Sequence, residues 1–160
     1  MLLLTGLNHR TTPVELRERC YIGAEQLPNL LFHLRQIPGV EESVVISTCN
    51  RLEVYAVVRN ISAAEPIMAA ICDYYELNLT TIRPHLYVEP DARAIQHLMR
   101  VACGLDSMIL GESQILGQVR EALNASDAVG SAGTLLHRLF EMAMHTGKRA
   151  HSETAIGEHT

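Results

Sequence analysis

Apolar and polar positions over the first 90 residues fall into short β-type runs separated by stripes of helical spacing. Leu2 to Leu7 is an apolar run broken by Gly6 and predicts a buried strand. Thr12-Pro13-Val14-Glu15 then has the form of a helix start, with Thr12 as cap, Pro13 in the first turn and Glu15 closing a capping box, and predicts a helix to about Cys20. Leu27, Leu30, Leu31 and Leu34 repeat at helical spacing before Pro38-Gly39 stops them. Ser43 to Thr48 and Leu52 to Arg59 are rich in β-branched residues, and with only Cys49, Asn50 and Arg51 between them they predict an antiparallel pair. Ser62 to Glu65 reads as a second capping box, opening a helix with Ile67, Ala70, Ile71 and Tyr74 on one face. His85 to Glu89 predicts a last short strand.

Beyond Pro90 the pattern turns helical, with helices expected over Asp91 to Gly104, Glu112 to Ala125 and Ala132 to about Ser152. The order predicts an α+β fold. Residues 1–90 would form a split βαβ (ferredoxin-like) antiparallel sheet with helices on one face, and residues 91–152 a helical subdomain.

Composition narrows the function classes. The 160 residues are 48% hydrophobic and 19% charged, enough for a real core, and at 4% aromatic that core is aliphatic. A net charge of −5 argues against a broad grip on nucleic acid, while leaving a local basic patch open. The opening apolar run is too short for a secretory leader, and no stretch approaches the ~20 apolar residues of a membrane helix, so a cytoplasmic chain is expected.

Of the four cysteines, Cys20, Cys49, Cys72 and Cys103, no two have Cys-x-x-Cys spacing, so each is judged by its own surroundings. Cys20, Cys72 and Cys103 sit at helix ends or near apolar stripes and read as packing. Cys49 lies where the pattern leaves a strand, between Thr48 and Asn50-Arg51. A free thiol titrates near ~8.5, and a neighbouring guanidinium with turn N–H groups would favour the thiolate. Spacing alone leaves two readings open: a nucleophile, or a small residue filling a tight turn. His97 lies on a helix whose core stripe is expected to be Ile95, Leu98, Met99 and Ala102, which turns it outward among Arg93, Arg100 and Val101. His137, Glu141 and His145 can share a helix face, as a surface charge cluster rather than a metal site. Gly104 to Val119 mixes glycines, apolar residues and Glu112-Ser113-Gln114. It reads either as a loop and helix start with a close helix crossing at Gly117, or as backbone that approaches a ligand. No Gly-x-Gly-x-x-Gly or P-loop string occurs, so no dinucleotide site is expected.

Longer strings carry a resemblance. Gly6-Leu7-Asn8-His9-Arg10-Thr11-Thr12-Pro13-Val14, Leu16-Arg17-Glu18-Arg19 and Ser47-Thr48-Cys49-Asn50-Arg51-Leu52-Glu53-Val54-Tyr55 are similar to motifs of glutamyl-tRNA reductases. So are His97-Leu98-Met99-Arg100-Val101-Ala102 and Gly104 to Val119. In that family a cysteine thiolate attacks the aminoacyl ester of glutamyl-tRNA, and NADPH reduces the resulting thioester to glutamate-1-semialdehyde for tetrapyrrole synthesis. The resemblance implies Cys49 as nucleophile, His97 as an acid–base or orienting residue, and Arg51 as partner of the substrate's side-chain carboxylate. It implies Thr48, Asn50, Ser107, Glu112, Ser113, Gln114 and Gln118 as further pocket residues; relatives often carry Pro where Ser113 stands. No metal is implied. It implies glutamyl-tRNA as partner, glutamate-1-semialdehyde aminomutase as a second one, and a homodimer formed through a C-terminal region. Similar proteins continue past the segment matching Glu153 to Gly157 into an NADPH-binding domain, so residues 153–160 are expected to begin a linker toward a domain that this chain lacks. At most an esterase activity is then expected; the alternative is a non-enzymatic tRNA- or partner-binding fragment or a short paralogue.

Overall fold

The computed structural model describes residues 1–155; the remainder of the expected linker, 156–160, lies outside the described residues. In chain order the elements are β1 (Leu2–Asn8), α1 (Val14–Arg19), α2 (Leu27–Arg35), β2 (Val40–Thr48), β3 (Arg51–Val58), α3 (Ala64–Tyr74), α4 (Leu79–Ile82), β4 (Tyr87–Pro90), α5 (Ala92–Ala102), α6 (Gln114–Ala128) and α7 (Thr134–Glu153). The four strands form one antiparallel sheet in the order β2-β3-β1-β4, the split βαβ arrangement that the pattern predicts.

Strand alternation sends residues to two different cores. Leu3, Leu7, Val45, Leu52, Val54 and Ala56 pack with Leu30, Leu31 and Leu34 of α2 and Ile67 and Ile71 of α3. Leu2, Leu4, Val44, Ile46, Tyr55 and Val57 face the other way, onto Leu98, Val119, Leu136 and Phe140 of α5, α6 and α7. The helical part therefore covers the second face of the same sheet. In that core Tyr55 and Phe140 meet edge to face at 5.5 Å.

Several local details differ from the pattern. Neither expected capping box forms: Thr12 Oγ1 lies 3.0 Å from Thr11 Oγ1, and Asn60 takes the capping role by accepting from Ser62 N–H at 2.9 Å. An Asn side chain two residues further out reaches the free N–H first. The short α4 escapes any periodicity because four residues hold too little pattern. Gly117 has open space around it. The close helix crossing lies instead at Gly147, where an added Cβ would stand 2.5 Å from the Ala102 carbonyl oxygen.

Candidate active site

The β2–β3 hairpin is closed by a two-residue turn, since Thr48 pairs with Arg51. Cys49 and Asn50 occupy the turn, held by Asn50 N–H donating to Thr48 Oγ1 at 3.1 Å and His9 N–H donating to Asn50 O at 2.9 Å. Cys49 is exposed, whereas Cys20, Cys72 and Cys103 are buried. Burial pushes the thiols of those three up, Cys20 to about 11, and so keeps them protonated.

Cys49, Thr48, Asn50 and Arg51 form one wall of a narrow cleft, and Ser107, Glu112, Gln114 and Gln118 come from the facing loop and α6. Eight of the residues singled out by sequence thus meet in one place. Ser113 does not line this cleft; it is exposed at the residue preceding α6. Thr48, Cys49 and Gln118 also border a wider cleft of about 420 Å³ between the hairpin, α6 and the segment around Tyr21.

The facing loop is shaped by two glycines. Gly104 and Gly111 have φ of +78° and +77°, and Gly111 N–H donates to Gly104 O at 3.0 Å. A Cβ on Gly104 would lie 2.9 Å from the Gly111 Cα, so the loop's ends meet only as glycines. The loop turns Asp106 inward and leaves Met108, Ile109 and Leu110 exposed.

Arg51 does not stay in the turn as the spacing suggests. It begins β3, and its guanidinium runs inward, 2% exposed. Nη1 donates to Glu53 Oε2 at 3.1 Å, and Nη2 donates to the Asp106 carbonyl at 2.5 Å and its carboxylate at 3.0 Å. Arg51, Glu53 and Tyr55 share one sheet face at period two. Glu53 is fully buried and accepts from Tyr55 Oη at 2.9 Å and Tyr87 Oη at 2.5 Å; His97 Nε2 lies 2.5 Å from it. Burial raises the Glu53 carboxyl's affinity for a proton, but the His97 hydrogen bond, the Arg51 charge and the Tyr87 hydroxyl outweigh it and hold the pKa at about 2. Burial and the same carboxylate push Tyr55 and Tyr87 well up, so both stay protonated donors. For Arg51, burial alone would weaken the charge, and Glu53, Tyr87 and Asp106 more than restore it.

Gly6 makes this cluster fit. It sits between Glu53 and Tyr87 across the sheet, and a Cβ there would stand 2.6 Å from the Leu52 carbonyl oxygen and 3.0 Å from the Glu53 Cα.

The expected stripe on α5 is corrected. Ala94, Leu98, Val101 and Ala102 are its buried positions, while Ile95 is exposed. The stripe is rotated because α5 packs on the sheet and on α7 together, which draws Val101 inward. His97 therefore stands at the stripe's edge over Glu53, lining a second cleft, and not the one that Cys49 borders. Glu53, Asp106 and Tyr87 were missed by sequence reasoning. The available signal was Glu53 itself, an acid at period two between Arg51 and Tyr55 in an otherwise apolar strand.

His137 is bound to Asp127 at 2.6 Å and lies 3.5 Å from Glu141, and no group of three metal-ligating side chains occurs among the described residues. The NADPH that the resemblance implies finds no matching seat among the described residues. Every pairing in the sheet is antiparallel, without the parallel strand, glycine-rich turn and helix that hold a dinucleotide's phosphates. No helix among the described residues is long and apolar enough to cross a membrane.

Comparison with known proteins places this geometry in context. The family model described as "Glutamyl-tRNAGlu reductase, N-terminal domain" matches residues 5–154. The chain is 49% identical over 159 residues to a glutamyl-tRNA reductase of Frankia casuarinae, covering 97% of this chain and 33% of that protein. It is 44% identical over 158 residues to one of Paenibacillus macerans, covering 98% of this chain and 36% of that protein. The solved glutamyl-tRNA reductase of Methanopyrus kandleri superposes with a TM-score of 0.77 at 31% identity, over 96% of this chain and 35% of the other. The chain thus spans about a third of the length of these relatives, and over that third it belongs to the glutamyl-tRNA reductase family, as its N-terminal domain.

Proposed function

We propose that this chain carries the acyl-transfer half of a glutamyl-tRNA reductase, with Cys49 as the nucleophile. The Cys49 thiolate attacks the carbonyl carbon of the aminoacyl ester. A carbon–sulfur bond forms, the bond to the tRNA ribose oxygen breaks, and that oxygen leaves with its electron pair and takes up a proton. The observation that carries the reading is the position of Cys49: it is the one exposed cysteine, at the tip of a two-residue turn, facing a cleft of polar side chains. Thr48, Asn50, Ser107, Glu112, Gln114 and Gln118 would orient the glutamyl group. Arg51 still has two of its five donors uncommitted for a carboxylate. Ser113, outside the cleft, would act only if the loop moved.

His97 stands on Glu53 rather than on Cys49, which supports a role in positioning over direct proton transfer to sulfur. Reduction of the thioester by NADPH has no seat among these residues, so water would resolve the acyl-enzyme and release free glutamate. Docking to an aminomutase and dimerisation would rest on the remaining two thirds of the relatives' length. Incubation with radiolabelled glutamyl-tRNA, followed by gel and mass analysis, tests the reading. The expected result is label on Cys49 and glutamate release without NADPH, both lost in Cys49→Ser. Equal release by Cys49→Ser would overturn it.

A further inference from the structure

Two clefts meet at Cys49, and the acyl-transfer reading occupies only one of them. The narrow cleft takes the glutamyl group, and its Glu112 offers a carboxylate to the one ammonium that group carries. The wider cleft, of about 420 Å³, shares Thr48, Cys49 and Gln118 with it. A second molecule can therefore sit beside the sulfur while the narrow cleft is full.

The lining of the wide cleft defines what that molecule is. Ile22, Leu27, Val45, Ala122 and Ala125 make much of the wall, which suits an alkyl chain. Glu121 is its only charged side chain, and it makes no ion pair or hydrogen bond among the described residues. The cleft at His97 differs in sign, since Arg10, Arg93 and Arg100 there face only Glu89 and Asp106. Position along α6 adds a length. Gln118 borders both clefts and so marks the part of α6 nearest Cys49. Glu121 and Ala125 follow at i+3 and i+7, about 4.5 Å and about 10.5 Å farther along the axis at ~1.5 Å per residue. A cationic head on Glu121 with a short alkyl chain thus reaches back to the sulfur.

We propose that the wide cleft is an acceptor site for a primary alkyl diamine, to which the glutamyl group is transferred from Cys49 as an amide. The inference rests on the acylation of Cys49. Glu121 pairs with the distal ammonium, and the near amine, in its uncharged form, attacks the thioester carbon. A carbon–nitrogen bond forms, the carbon–sulfur bond breaks, and the sulfur leaves with the electron pair. The proton released from nitrogen passes to sulfur or solvent, so the products are a glutamyl amide and the free thiol, with no reductant consumed. Holding the amine beside the carbonyl makes the step effectively unimolecular, which favours it over attack by bulk water.

The test follows radiolabelled glutamyl-tRNA by chromatography and mass analysis with 1,4-diaminobutane, butylamine or hydroxylamine added. Hydroxylamine is small and largely uncharged at neutral pH, so hydroxamate formed by way of Cys49 reports acylation by itself. Product formed with Cys49→Ser is subtracted throughout, because amines also attack the RNA ester directly. The expected result is a glutamyl-diaminobutane amide that forms with saturation, at a lower half-saturating concentration than butylamine requires. Rates are expressed relative to each variant's own hydroxamate yield. On that scale Glu121→Gln, at an exposed position of α6, should raise the diaminobutane concentration about fivefold and erase its advantage over butylamine. Glu15→Gln removes the same charge on α1 and should leave the advantage intact. Hydroxamate without any preference for diaminobutane, or a preference that survives Glu121→Gln, would overturn the acceptor site and leave Cys49 acylation standing. Absence of Cys49-dependent hydroxamate would overturn both.

Discussion

Glu53→Gln is the substitution through which the buried cluster is most directly tested. The carboxylate is fully buried and meets four groups: Arg51, Tyr55, Tyr87 and His97. An amide of the same size keeps one acceptor oxygen and turns a donor NH₂ toward groups that are themselves donors. It also leaves Arg51 with Asp106 as its only carboxylate. Glu53 is held down to about 2 from an ordinary 4.5, and at about 1.4 kcal/mol per unit this amounts to about 3 kcal/mol of stability. Removing one partner of a buried ion pair costs about 3–5 kcal/mol by general experience, which agrees. The folded value lies below the unfolded one, so this contribution is present in full above about pH 4.5 and is lost as pH falls toward 2. Urea denaturation of parent and variant should give a gap of about 3 kcal/mol at pH 7, shrinking by about 2 kcal/mol at pH 3. Taking the difference between the two proteins cancels the other carboxylates that titrate over the same range. A gap under about 1 kcal/mol at pH 7, or one that stays constant down to pH 3, would refute the account of Glu53 as a charged keystone.

In the native chain at neutral pH, a disulfide reagent such as DTNB should titrate one thiol quickly and the other three only on unfolding, because Cys20, Cys72 and Cys103 are buried. The fast thiol should be absent from Cys49→Ser. Gly6→Ala should cost about 1–3 kcal/mol in urea denaturation, since its Cβ would meet the Leu52 carbonyl oxygen at 2.6 Å. The same variant should alter His97 imidazole NMR shifts by pushing Glu53 from its place, and unchanged shifts would count against Gly6 as the spacer.

The elements that were legible in the sequence are those long enough to show a period. The leucines of α2 and the alternation of β2 and β3 located both elements and joined the strands as a hairpin. Eight pocket residues were found because they lie in motifs clustered at two places in the chain, and the fold brings the two places together. What periodicity did not carry is direction. Arg51 looked like a turn residue because it follows Cys49 and Asn50 and precedes the apolar run that opens at Leu52, but one extra ladder pair, Thr48 to Arg51, commits its side chain to the sheet's face. The stripe on α5 was drawn from hydrophobicity, and contact with two different elements shifted it by about one position, so that Ile95 came out and His97 came to the edge. Asp106 was silent because its partner, Arg51, stands 55 residues away.

Asp106 and Ser107 are consecutive, yet they serve different clefts: Asp106 borders the arginine-lined one and Ser107 the one at Cys49. Arg51 grips the loop at this division by both the backbone carbonyl and the carboxylate of Asp106, while Asn8 Nδ2 donates to the same carboxylate at 3.3 Å. With Glu53 and Asp106 both beside it, the guanidinium charge is matched from within the protein before any ligand arrives. A carboxylate entering the Cys49 cleft would meet the two donors that Arg51 leaves uncommitted and share its guanidinium with Asp106. Asp106 also pairs with Arg10 of the second cleft, at 3.2 Å. The boundary between the two clefts is thus held by one aspartate, which pairs with Arg51 on one side and Arg10 on the other.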